Sequence, residues 1–137
     1  MTNQLPQLPK WIFSGKVPLD DSKVQEALLE TGGLHDSYLS IQPKGHNILA
    51  LRFRDPYFWK LSATGLWGVE AANFLIHCDP ARDHGEFSAL SGIHDFEVYS
   101  VELDKLSECV ELSIEVFFDI HLSAIFKDSW FFWTFSS

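Results

Sequence analysis

At 137 residues and 46% hydrophobic content, with 12 Phe and 5 Trp, the chain has the size and apolar surface for one domain, residues 1–137, with one core. Its net charge of −9 is unevenly placed, with seven basic and six acidic side chains in residues 1–68 against three basic and thirteen acidic in 69–137. Binding to phosphates needs clustered Lys and Arg, so this balance argues against DNA or RNA as the ligand and favours a basic partner or merely solubility.

The N-terminus, MTNQLPQLPKWIF, has polar residues and two prolines where an export signal needs basic residues followed by a long apolar run. Residues 1–10 read as a loose arm. A short strand is expected over 11–17. Residues 20–30 then show a capping Asp, an amphipathic spacing of Val24, Ala27 and Leu28, and the double glycine stop Gly32 and Gly33. This is the one helix expected.

From Ser37 the period changes to two, giving strands over 38–42 and 48–54 around a turn at 43–46. Leu49, Leu51 and Phe53 should face inward, leaving Ala50, Arg52 and Arg54 outward as a locally basic patch. Two further strands are expected over 57–63 and 67–78, followed by a polar loop over 79–92. Near the end, apolar residues hold every even position from Val110 to Phe126. Roughly 17 residues at about 3.3 Å each would overrun a domain of this size, so the strand must bend or break. A two-residue hairpin would swap the buried parity, which favours bending or a three-residue break near Asp119. After a turn at Lys127 and Asp128, the segment WFFWTF from Trp130 is an aggregation hazard unless covered, so it belongs inside the sheet or under the helix. No uncharged apolar stretch approaches the roughly 20 residues of a membrane-spanning helix.

The expected fold class is α+β: a single strongly curved antiparallel sheet of about six to eight strands with one N-terminal helix packed on it. A β-sandwich or half-barrel is the alternative.

Two segments, GLHDSYLS from Gly33 and GIHDFEVYS from Gly92, share Gly, aliphatic, His, Asp. Four matches do not establish a duplication. The pairs His35 with Asp36 and His94 with Asp95, together with His121, are the residue types that would ligate zinc, iron or manganese in a metal-dependent hydrolase. Adjacent strand residues point to opposite faces, however, so at most one of each pair could reach a common site. Structural roles at strand starts are the simpler reading. His77, Cys78 and Asp79 suggest a thiolate nucleophile, yet neighbours on a strand do not face each other, and Cys78 suits a core. There is no GxSxG elbow, no phosphate-binding glycine loop and no dinucleotide fingerprint. No catalytic residue and no cofactor is assigned.

The acidic run carries more weight. From Asp95 to Asp119 the chain holds Asp95, Glu97, Glu102, Asp104, Glu108, Glu111, Glu115 and Asp119 against Lys105 alone. Glu111, Glu115 and Asp119 share one parity, and like charges along one face repel unless something basic docks there. The candidate partner-binding residues are therefore Glu97, Glu102, Glu111, Glu115 and Asp119. A solvated outer face is the plainer alternative, and Trp59, Trp67, Trp130 and Trp133 suggest a third reading, a small apolar ligand held inside the curve.

The element Gly33, Leu34, His35, Asp36, Ser37, followed by SIQPKGHNILALRF, resembles the immunity-type families of bacterial polymorphic toxin and contact-dependent inhibition systems, in which an HD[SA] element leads into an alternating strand. The resemblance covers about residues 33–54. It implies a protein that binds and silences a cognate toxin, often a basic nuclease, and families of this kind have no shared catalytic residues. The cytoplasmic location expected here rests on the lack of an export signal and on two cysteines, Cys78 and Cys109, that make no CxxC pair and no disulfide framework. A homodimer formed by pairing of exposed strand edges is a further expectation to weigh against it.

Overall fold

In the computed structural model, which describes residues 10–45, 48–54, 68–77, 96–117, 120–126 and 128–135, the helix forms where capping and spacing place it. The Asp21 carboxylate accepts from the Lys23 backbone N–H at 2.8 Å and caps α1 (Ser22–Glu30), which buries Val24, Ala27 and Leu28. Its C-terminus closes with the paired bonds of a Schellman motif, Gly33 N–H to Leu28 O at 2.8 Å and Gly32 N–H to Leu29 O at 3.2 Å. Both glycines adopt positive φ, +64° and +70°.

The described residues form eight strands in chain order: β1 (Val17–Pro18), which precedes the helix, then β2 (Tyr38–Gly45), β3 (Ile48–Arg54), β4 (Val69–His77), β5 (Phe96–Lys105), β6 (Val110–Val116), β7 (Ile120–Phe126) and β8 (Ser129–Phe135). They make one open sheet in the order β1-β8-β4-β3-β2-β5-β6-β7, with every neighbouring pair antiparallel. Among the described residues the fold is thus mostly antiparallel sheet with one helix, as expected. No helix among the described residues is long and apolar enough to cross a membrane.

The sheet turns its corner at β5. Its first two residues pair with β2, Phe96 with Leu39 and Glu97 with Tyr38, and because β2 begins at Tyr38 the turn after α1 takes its place further along β5. The turn after α1 fills the wedge: Val101 N–H donates to Gly33 O at 2.8 Å, and Val98 N–H to Ser37 O at 2.9 Å. Both halves of the sheet then face one hydrophobic cluster, which also takes in the buried helix residues. Among the described residues the rest of β2 has a ladder with β3 alone, in which Pro43, having no N–H, stands opposite Leu49.

Rings form a continuous row over the inner face of the first half. Phe53 and Phe74 have centroids 5.1 Å apart, Phe74 and Phe131 5.2 Å, and Phe131 and Trp133 4.9 Å. The expected strand over 11–17 is instead an irregular segment, of which only Val17 enters a ladder. Trp11 and Ile12 are buried by packing rather than pairing: the Trp11 ring lies tilted against Trp133 at 5.7 Å, and the Trp133 indole N–H donates to Trp11 O at 3.2 Å. The WFFWTF segment lies inside the sheet as β8, paired with β4 along its length and with β1 at two positions. The strand expected over 57–63, the loop over 79–92, and residues 1–9 of the N-terminal arm lie outside the described residues.

Candidate functional site

The alternating stretch breaks after Val116 and resumes at Ile120, a three-residue connection that keeps even positions on one face. Cross-strand partners share a face, so the register fixes the outer surface of β5, β6 and β7. Glu102 pairs with Ser113, Asp104 with Glu111, Ser100 with Glu115, and Glu115 in turn with His121. The opposite face is apolar and buried: Val101 and Leu103 of β5, Leu112 and Ile114 of β6, and Leu122 of β7.

This outer surface carries Glu102, Asp104, Glu111 and Glu115. Asp104 directly opposite Glu111 is a like-charge pair, an arrangement that costs a sheet roughly 0.2–1 kcal/mol. The only ion-pair partner these four carboxylates have among the described residues is the His121 imidazole, 3.9 Å from Glu115 and charged only when protonated. Along the helix side of the same surface runs a groove of about 370 Å³, with Leu28 and Leu29 on one wall and Glu102 and Asp104 on the other. The outward Arg52 does not serve this surface, since its guanidinium pairs at 2.8 Å with Glu70 on the neighbouring strand β4.

At one end of the acidic face the regular ladder gives way twice. A β-bulge between Val98 and Ser100 adds Tyr99 as an extra residue and turns its side chain to solvent. Across from it, the turn after α1 runs through Leu34 at φ +57° and Asp36 at φ +61°, two non-glycine residues in the left-handed region. That turn lays His35 over the bulge. The imidazole Nδ1 lies 2.9 Å from Tyr99 O, and since a carbonyl can only accept, Nδ1 carries the hydrogen. The His35 Nε2 faces Asp36 Oδ1 at 3.4 Å. Tyr99 also meets Phe117 edge-to-face at 5.8 Å, and the Phe117 N–H donates to Glu97 O at 3.0 Å.

Comparisons with known proteins matched no family model, no curated protein and no solved structure. The site is therefore read from its own geometry. Of the five acidic candidates, Glu102, Glu111 and Glu115 share one face, Glu97 lies beyond the bulge opposite Tyr38, and Asp119 is outside the described residues. Asp104, absent from the sequence-based set, belongs with the first three. Among the metal-type candidates, His94 and Asp95 are outside the described residues; His35 and Asp36 adjoin, and His121 pairs across β7 and β6 with Glu115. No group of three or more His, Cys, Asp or Glu that could hold a metal ion occurs among the described residues. Of the tryptophans suggested as ligand-binding, Trp133 is core, Trp130 is exposed, and Trp59 and Trp67 are outside the described residues, as are Cys78 and Asp79.

Ser37, the residue after the strained turn, is fully buried, and its Oγ has no hydrogen-bond partner among the described residues. An unsatisfied buried hydroxyl carries the desolvation cost of its polar group. Ser37→Ala is accordingly expected to raise unfolding free energy by about 1 kcal/mol in urea titration.

Proposed function

We propose that this chain is a non-enzymatic protein-binding module that holds a basic partner protein on the outer face of β5, β6 and β7, as an immunity protein would hold a basic toxin. The observation that carries this reading is the Asp104 and Glu111 pair, set directly opposite each other with Glu102 and Glu115 on the same face. A sheet gains nothing in stability from that placement, whereas a docked cationic surface turns each repulsion into an attraction. The neighbouring groove supplies the apolar anchor that charged rims lack, since Leu29 stands 81% exposed on its wall.

The test is a combined variant, Glu102→Gln, Asp104→Asn, Glu111→Gln and Glu115→Gln, used beside the native chain as bait in native lysate. We expect the native chain to retain one basic protein at about 50 mM salt and release it at about 500 mM, where screening is several-fold shorter in range. The variant should lose that protein at both salt concentrations while unfolding at an equal or higher temperature, because relief of the like-charge pair is worth roughly 0.2–1 kcal/mol. Equal retention by the two baits would refute the proposal.

A further inference from the structure

We propose that the rings of His35, Tyr99 and Phe117 form a seat for an arginine side chain of the partner, with the guanidinium against the exposed Tyr99 ring and close to the carboxylates of Asp36 and Glu97. This deepens the partner-binding reading above and rests on it.

Three rings meet here at the surface rather than in the core. His35 and Tyr99 are edge-to-face at 5.5 Å, Tyr99 and Phe117 edge-to-face at 5.8 Å, and His35 and Phe117 tilted at 6.3 Å, while Tyr99 remains 53% exposed. Edge-to-face packing holds each ring in place and leaves aromatic surface open toward solvent.

Two costly backbone features converge to build the cluster. The bulge brings out Tyr99, and the left-handed Leu34 and Asp36 bring His35 to it, each such residue costing on the order of 1 kcal/mol or more. Helix termination does not require this, because Gly32 and Gly33 have already closed α1. Strain that persists beyond the cap marks a shape the fold is built to hold.

The charge around the rings selects the occupant. Asp36 and Glu97 adjoin the cluster in sequence, and among the described residues the Asp36 carboxylate has only the His35 imidazole as an ion-pair partner while Glu97 forms no ion pair. A purely apolar visitor would desolvate those carboxylates without compensation, and a phosphate would be repelled. A guanidinium satisfies both components, stacking flat on an aromatic face and donating to carboxylates, which a compact ammonium does less well.

The experiment is aromatic and amide NMR of the full chain, titrated with a capped Gly-Arg-Gly-Arg-Gly peptide and with its citrulline counterpart, which keeps shape and loses charge. We expect saturable shifts of the Tyr99, Phe117 and His35 ring signals with the arginine peptide, and binding weaker by roughly three- to ten-fold with citrulline. Tyr99→Leu and Asp36→Asn should weaken the arginine peptide similarly, and Tyr99→Phe, which keeps the ring, should retain it. Equal binding of the two peptides overturns the seat. So do silent rings with shifts confined to the Glu102, Asp104, Glu111 and Glu115 amides, an outcome that leaves the acidic-face reading standing. Ring shifts that persist in the fourfold neutral variant, when that variant still retains the partner from lysate, support the seat and remove the acidic face instead.

Discussion

Phe131→Ala is expected to lower unfolding free energy by about 3–5 kcal/mol, the range for truncating a fully buried phenylalanine. Phe131 lies on β8 beneath the join of four elements. Its ring contacts Phe74 of β4 at 5.2 Å, Trp133 of its own strand at 4.9 Å and Phe13 of the N-terminal segment at 5.7 Å, while its backbone pairs with Val17 of β1. Removing it opens a cavity and cancels three ring contacts, each worth up to about 1 kcal/mol beyond the area buried. Domains of this size have unfolding free energies of only about 5–15 kcal/mol, so the variant should be largely unfolded at temperatures the native chain tolerates. Urea unfolding followed by tryptophan fluorescence measures the change, and a loss below about 1 kcal/mol would contradict the packing described.

The second large effect is expected at Gly33. A Cβ there would stand 3.1 Å from Val101 N and 3.2 Å from Val101 O, both backbone atoms held in the wedge between helix and sheet, and φ is +70°. The methyl cannot be relieved by a side-chain rotation, so the Gly33 O to Val101 N–H bond must lengthen or the turn must shift. Gly33→Ala should cost about 2–3 kcal/mol, combining left-handed strain with loss of that bond. Gly32 provides the control, since at φ +64° it meets nothing within 4 Å. Gly32→Ala should therefore cost only the left-handed penalty, about 1 kcal/mol. Thermal unfolding that ranks the two variants equally would contradict the close approach at Gly33.

Periodicity made much of this architecture legible before any coordinates. The inward set Leu49, Leu51 and Phe53 is the buried set of β3, and the parity argument against a two-residue hairpin leaves bending or a three-residue break near Asp119, of which the ends of β6 and β7 show the break. Regular alternation reports which face is buried, so these elements were readable. Irregular backbone was not. The strand over 96–105 has no regular alternation to announce it, and only its register on β6 puts Asp104 opposite Glu111. Tyr99 and Phe117 were missed for a related reason, although a signal existed: the buried valines at 98 and 101 switch parity, which requires an extra residue between them. Phe117 likewise is an aromatic at an odd position in a stretch whose odd positions are otherwise mostly polar. The meeting of His35 with Tyr99 depends on positive φ at Leu34 and Asp36, which no propensity of leucine or aspartate predicts.

The acidic outer face of β5, β6 and β7 as the docking surface is the claim on which the functional reading turns, and association kinetics test it most directly. With the captured basic protein in hand, its association rate with the native chain is measured between about 20 and 500 mM salt. Electrostatic steering predicts a fall of roughly 10- to 100-fold over that range and a much shallower fall for the fourfold neutral variant. An association rate that is flat in salt and equal for the two proteins would contradict it.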